Sequence, residues 1–164
     1  MDQKNRQRTL YLCQAAVIAA LYVVLTLLAK MLGLDSGVIQ VRFSEMLCIL
    51  PIFLSSAIPG VTVGCFLASL LTGAVWLDII IGPIATLIGA IGTYLLRKYK
   101  WIAPLPPIIS NAIIIPFVLA YGYGMEQAIP LMMLTVAIGE IISVYILGMI
   151  FYHGAEKYLK RIKL

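Results

Sequence analysis

Glu140 and Asn111 stand inside long apolar stretches where composition gives neither a natural place. An ionisable side chain at mid-bilayer costs ~3 kcal/mol even on lenient insertion scales, so it must face protein or water rather than lipid. Helical rise puts Glu140 ~18 Å along its segment from Ala128 and Asn111 ~15 Å in from Tyr121 on the preceding, antiparallel segment. The two therefore share a layer. Two kinds of chemistry follow. Either the carboxylate and the amide line a buried pocket and give a polar solute oriented hydrogen bonds in a low dielectric, or they bond to each other and fix helix packing.

A second group of polar residues gathers nearer the segment ends. Arg42 and Glu45 lie three apart, a spacing that puts them on one helical face for ligand contact or for a local salt bridge. Asp78 opens a segment beside Trp76, where a carboxylate serves a ligand or caps the helix through its side-chain oxygen. Gln40 offers an amide from the preceding loop, to a ligand or simply to solvent. No catalytic constellation accompanies these groups. The chain has no GxxxxGK[ST], no HExxH and no activated nucleophile, so neither ATP hydrolysis nor any other enzyme activity is expected. Cys13, Cys48 and Cys65 lack CxxC or metal-ligand spacing, and no metal or cofactor is expected. His153, the single histidine, falls at the end of the last apolar segment and reads as interfacial.

The elements that must position these groups are membrane helices. Of the 164 residues, 62% are hydrophobic, and the mean hydropathy is +1.03, far above that of soluble domains. A hydrocarbon core ~30 Å thick takes about 20 residues per helix, which leaves a chain of this length room for roughly six spans. Six apolar segments run over residues 9–32, 43–54, 57–75, 79–96, 102–120 and 128–152. The second is too short to span alone and contains Pro51, so it is tilted, extended into its flanks or partly re-entrant. Pro104, Pro106, Pro107 and Pro116 predispose the fifth to kinks. Residues 38–41 have strand-like character and suit a short cap. No repeat or linker divides residues 1–164, so one membrane domain is expected.

The net charge of +5 comes from 12 basic and 7 acidic residues, and its distribution points to a bilayer rather than to nucleic acid. Lys4, Arg6 and Arg8 precede the first segment. Arg97, Lys98 and Lys100 separate the fourth from the fifth, and Lys157, Lys160, Arg161 and Lys163 follow the sixth. An even number of spans between clusters puts all three on one side, which the positive-inside rule makes the cytoplasm. The expectation is an all-α bundle of six transmembrane helices with both termini cytoplasmic. Its outer loops, residues 33–42, 76–78 and 121–127, carry Trp76, Tyr121 and Tyr123 as interfacial anchors. Ala15-x-x-x-Ala19 and Ala16-x-x-x-Ala20 give the first helix small faces that permit close helix approach. Packing inside the monomer explains such faces from spacing alone, as it does Gly60-x-x-x-Gly64.

Four stretches carry a family resemblance: Gln40-Val41-Arg42-Phe43-Ser44-Glu45, Asp78-Ile79-Ile80-Ile81-Gly82 with Ala85-Thr86-Leu87, Ser110-Asn111-Ala112-Ile113, and Gly139-Glu140. With them the chain resembles the QueT family, substrate-binding S components of energy-coupling factor transporters for queuosine precursors. The resemblance implies a multi-pass subunit of the bacterial plasma membrane. Its expected partners are a transmembrane coupling protein and two ATP-binding cassette ATPases. It assigns docking onto the coupling protein to Ala15, Ala16, Ala19 and Ala20. It implies a deazaguanine cargo, queuine or its aminomethyl or cyano precursor. A carboxylate can accept two N–H groups from the guanine-like edge. Glu140 is expected in that role, with Asn111 at the ring carbonyl or nitrogen. Phe43, Trp76, Tyr121 and Tyr123 are available to stack on the ring, while Asp78 or Glu45 would suit a cationic aminomethyl group. An S component for another heterocycle or vitamin is the first alternative, and a non-transporting scaffold subunit is the second.

Overall fold

The computed structural model describes residues 3–34 and 39–162. Six helical rods build it. The first is Gln3–Met31, the second Phe43–Ile52, the third Ala57–Leu71, the fourth Trp76–Leu95 and the fifth Leu105–Gly122. The sixth runs as Ile129–Glu140, passes through a π-helical stretch at Ile141–Leu147 and continues as Gly148–Ile162. The expected all-α fold and six-helix count are both present. The first, fourth, fifth and sixth rods are long and apolar enough to cross a membrane, whereas Phe43–Ile52 and Ala57–Leu71 are shorter. Of the strand-like stretch 38–41, residue 38 lies outside the described set, and Ile39, Gln40 and Val41 form no strand.

The second rod is the least ordinary. It is wound as a 3-10 helix, at ~2.0 Å per residue only about 20 Å long, too short for a ~30 Å core. It does not need to span, because it is enclosed: Ser44, Glu45, Leu47, Cys48, Ile49, Leu50, Pro51 and Ile52 are all buried. It packs against the first, third, fourth and sixth helices. Pro51 lacks an N–H and cannot continue an α ladder, and the chain turns away after it through Phe53 N–H to the Leu50 carbonyl at 2.9 Å.

The remaining helices form a row of neighbours: first on third, third on fourth, fourth on fifth, fifth on sixth. Lipid tails are as apolar as leucine, so close backbone approach rather than hydrophobic burial must hold such a row together. Glycines supply that approach. A Cβ on Gly60 would sit 3.0 Å from the Ala15 carbonyl oxygen, and one on Gly64 would sit 3.0 Å from that of Ala19. On the fourth helix, a Cβ at Gly89 would lie 2.6 Å from the Pro107 Cα. The prolines that open the fifth helix thus seat on glycines of the fourth.

Aromatic and polar contacts gather the basic clusters at one end. Tyr11, early in the first helix, donates to the Ser55 carbonyl at 3.4 Å, and Phe53 stacks on Tyr152 with ring centroids 4.9 Å apart. Trp101, beside Arg97, Lys98 and Lys100, lies 6.2 Å from the His153 ring. The first helix's start, the loop between the fourth and fifth helices and the end of the sixth therefore share a face. This is what an even number of crossings between clusters requires.

Candidate functional site

At the opposite end the helices part around a cavity of about 390 Å³, within the ~300–1,000 Å³ typical of small-molecule sites. Five stretches of the chain build it. The first helix contributes Tyr22, Thr26 and Lys30, spaced one turn apart on a single face. Gln40 and Arg42 come from the approach to the second helix and Ser44 from its first turn, Ser69 and Thr72 from the end of the third, and Asp78 from the start of the fourth. Leu119, Tyr123 and Met125 close the remaining side.

The polar groups of these walls are partly committed to one another. The Tyr123 hydroxyl donates to Asp78 Oδ2 at 3.1 Å. Burial, and after it the Asp78 carboxylate, raise the Tyr123 phenol above its ordinary pKa, so it stays a neutral donor. Asp78 is itself only 7% exposed, and its Oδ1 lies over Gly82, where a Cβ would stand 3.0 Å away. Lys30 Nζ donates to the Thr72 carbonyl at 2.6 Å, tying the first helix to the end of the third. The Arg42 guanidinium reaches Gln40 Oε1 at 3.5 Å, with Asp78 and Glu45 as its leading electrostatic neighbours. Donors and an acceptor thus face one cavity, an arrangement that suits a small polar molecule.

The residues singled out in the sequence divide. Gln40, Arg42 and Asp78 line the cavity. Glu45 is 1% exposed and sits behind it, accepting from the Tyr22 hydroxyl and from Cys48 Sγ at 3.2 Å. The local Arg42–Glu45 salt bridge gives way to these partners. Phe43 is not in the lining: Arg42 has extended backbone, so Arg42 and Ser44 face one way and Phe43 the other. Tyr121 is 75% exposed and borders a separate apolar groove with Leu77, Ile81, Ile113 and Phe117. Two residues on a helix are ~200° apart, which is why Tyr123 and not Tyr121 reaches the polar cavity.

Glu140 and Asn111 do meet, as their shared depth predicts: Asn111 Nδ2 donates to Glu140 Oε1 at 3.0 Å, and both are buried. They are not among the cavity's lining residues. Of the four alanines to which the resemblance assigns docking, Ala15 and Ala19 present their backbone to Gly60 and Gly64 of the third helix, whereas Ala16 and Ala20 are exposed on the outer face. The first helix's own contribution to the cavity, absent from the expected site residues, has a plain signal in the sequence. Tyr22, Thr26 and Lys30 recur at four-residue spacing, a polar stripe along an otherwise apolar helix.

The QueT transporter family model matches residues 12–157. The chain belongs to the QueT transporter family. Among curated proteins it is 34% identical over 97 residues to the queuosine precursor transporter QueT of Lactococcus lactis subsp. cremoris (strain MG1363), a match that covers 58% of this chain and 57% of that protein. The match therefore spans little more than half the length of this curated relative. No solved structure matches the chain. As a QueT-family member with four helices able to cross a bilayer, the chain is a membrane protein whose family transports small molecules.

Proposed function

We propose that this chain is the substrate-binding S component of an energy-coupling factor importer in the bacterial plasma membrane. It captures a queuosine precursor, a deazaguanine base, from outside the cell. The reading is carried by one observation: the polar cavity opens at the end of the bundle remote from all three basic clusters. With those clusters and both termini in the cytoplasm, the cavity faces the external medium.

The roles of its groups follow from their chemistry. The Asp78 carboxylate accepts the paired N–H groups of the guanine-like edge, the role that the family resemblance suggests for Glu140. Arg42 donates to the ring carbonyl, Gln40 to a ring nitrogen or substituent, and Tyr22 or Tyr123 offers a ring for stacking. Glu140 and Asn111 act as an interhelical bond between the fifth and sixth helices.

The chain has no ATPase site of its own and is not an enzyme in this reading. Uptake is driven by a transmembrane coupling protein and two ATP-binding cassette ATPases. Ala16 and Ala20, on the exposed face of the first helix, are the alanines free to meet that coupling protein. An S component for a vitamin remains the rival reading, because donors, an acceptor and aromatic rings suit other heterocycles too. Equilibrium binding to the purified chain decides between them, with queuine and its aminomethyl and cyano precursors set against guanine and a vitamin panel. Tight binding of a deazaguanine is the expected result. Tight binding of a vitamin with none of the deazaguanines would overturn it.

A further inference from the structure

Arg42 and Gln40 occupy a segment with no regular structure of its own, yet a base-reading guanidinium needs a fixed anchor. That anchor comes from the sixth helix. Gly139 faces the loop so closely that a Cβ there would overlap the Gln40 carbonyl oxygen and stand 3.1 Å from its carbonyl carbon. One turn on, Ser143 is 1% exposed. Its Oγ accepts the Arg42 backbone N–H at 3.1 Å and donates to the Gly139 carbonyl at 2.8 Å.

The bond answers a need of the second helix. The first N–H groups of any helix lack an internal partner, and Arg42, at the N-cap, has no side-chain cap. Ser143 supplies one from across the bundle. The two groups that hold the loop sit at residues 139 and 143, on the same face, where the helix passes from α to π winding. Local π turns are a recurrent feature of functional sites. Asn111 bonds to Glu140 at this same step, fixing the sixth helix against the fifth.

We infer that Gly139 and Ser143 are positioning residues: they set the Arg42 guanidinium at the height where it reads the ring carbonyl of the substrate, although neither lines the cavity. The inference rests on the proposed function, since it takes a carbonyl-bearing base as the ligand. It also makes the sixth helix a specificity element at the place where sequence alone put a ligand carboxylate.

The test uses two ligands, a deazaguanine that binds the wild-type chain and the corresponding deazapurine lacking the ring carbonyl. Wild-type chain should prefer the first. In Ser143→Ala and Gly139→Ala, affinity for the carbonyl-bearing ligand should fall roughly tenfold, the size of one hydrogen bond. Affinity for the analogue should stay unchanged. Ser143→Ala placed in an Arg42→Ala background should then have no further effect, because the guanidinium it positions is gone.

If both ligands weaken alike, or if the losses from Ser143→Ala and Arg42→Ala simply add, the residues serve the fold only and the inference fails. Unchanged affinities in both variants overturn it as well, while leaving the proposed function standing. A wild-type chain that binds no deazaguanine overturns that function and the inference together. Should Gly139→Ala prevent folding, Ser143→Ala alone carries the comparison, since losing a hydroxyl introduces no overlap.

Discussion

Two of the buried carboxylates, Asp78 and Glu140, stand in different surroundings. Asp78 is 7% exposed and Glu140 is 6% exposed, so burial does not tell them apart. Nor does hydrogen bonding: Asp78 accepts from the Tyr123 hydroxyl at 3.1 Å and Glu140 from the Asn111 amide at 3.0 Å. They differ in what lies beyond the bond. Asp78 faces a cavity of about 390 Å³ shared with Arg42, Gln40 and Tyr22, whose lining does not include Glu140 or Asn111. A charge that lipid should exclude marks a polar station, but only adjoining space makes that station a site.

Exchanging charge for neutrality at Asp78 should produce the largest effect. Asp78→Asn keeps the shape, turns one acceptor into a donor and opposes the N–H groups of the proposed deazaguanine. Truncating one partner of a buried charge-assisted pair costs about 2–5 kcal/mol, so affinity should fall by roughly a hundredfold. Isothermal titration or fluorescence quenching reads this directly. An affinity within threefold of wild type would reverse the comparison and return the ligand carboxylate to Glu140.

Tyr123→Phe comes next. It removes the hydroxyl that holds Asp78 Oδ2 and leaves the ring in place, so a stacking role would survive it. One well-buried hydrogen bond to a charged group contributes about 1.5–3 kcal/mol net. Because Tyr123 is 46% exposed, water recovers part of that, and a loss of about fivefold to tenfold in affinity is expected. Tyr121→Phe, made in parallel, should change nothing measurable, because Tyr121 borders the apolar groove instead.

How much of this was readable beforehand depends on range. The six rods and the grouping of basic clusters were legible, because hydropathy and charge are summed over whole segments and tolerate local error. The meeting of Asn111 and Glu140 was legible too, since helical rise converts residue number into depth. What the meeting was for was not legible. Depth places a residue along the membrane normal and says nothing about which neighbour leaves room, and the cavity is bounded by the ends of the first, third and fourth helices together with Gln40 and Arg42. The 3-10 winding of the second helix was hidden as well. Its ten residues read as a weak span, whereas its enclosure by four other helices removes any need to span. The alanines of the first helix show the same limit: spacing identifies a small face, while only packing decides that Ala15 and Ala19 are used by Gly60 and Gly64 and Ala16 and Ala20 are left open.

On the Glu140 side of the comparison, Asn111→Leu should lower stability and spare binding. Interhelical hydrogen bonds in membranes average about 0.6 kcal/mol and reach ~1.7, and this one is fully buried, so a loss of about 1 kcal/mol is expected in thermal or denaturant unfolding in detergent. Ligand affinity should stay within twofold. A tenfold loss of affinity without a change in stability would place Asn111 at the ligand.

Glu140→Gln should have the smallest effect, and its sign is informative. Among the described residues, Glu140 Oε2 and Asn111 Oδ1 are buried acceptors without a hydrogen-bond partner, and they belong to the two side chains already joined through Oε1 and Nδ2. A glutamine amide keeps the oxygen that accepts from Asn111 and replaces the second oxygen with an N–H donor. That donor is offered to the other amide's free oxygen, so the pair can close into a ring of two hydrogen bonds. An unsatisfied buried acceptor costs about 1–3 kcal/mol, and the substitution relieves two of them while removing a possible charge from the bilayer interior. Equal or slightly higher stability with unaltered affinity is therefore expected, the reverse of Asp78→Asn. Loss of binding in Glu140→Gln would mean that the carboxylate reaches the ligand in a bound state whose cavity extends down to the fifth and sixth helices.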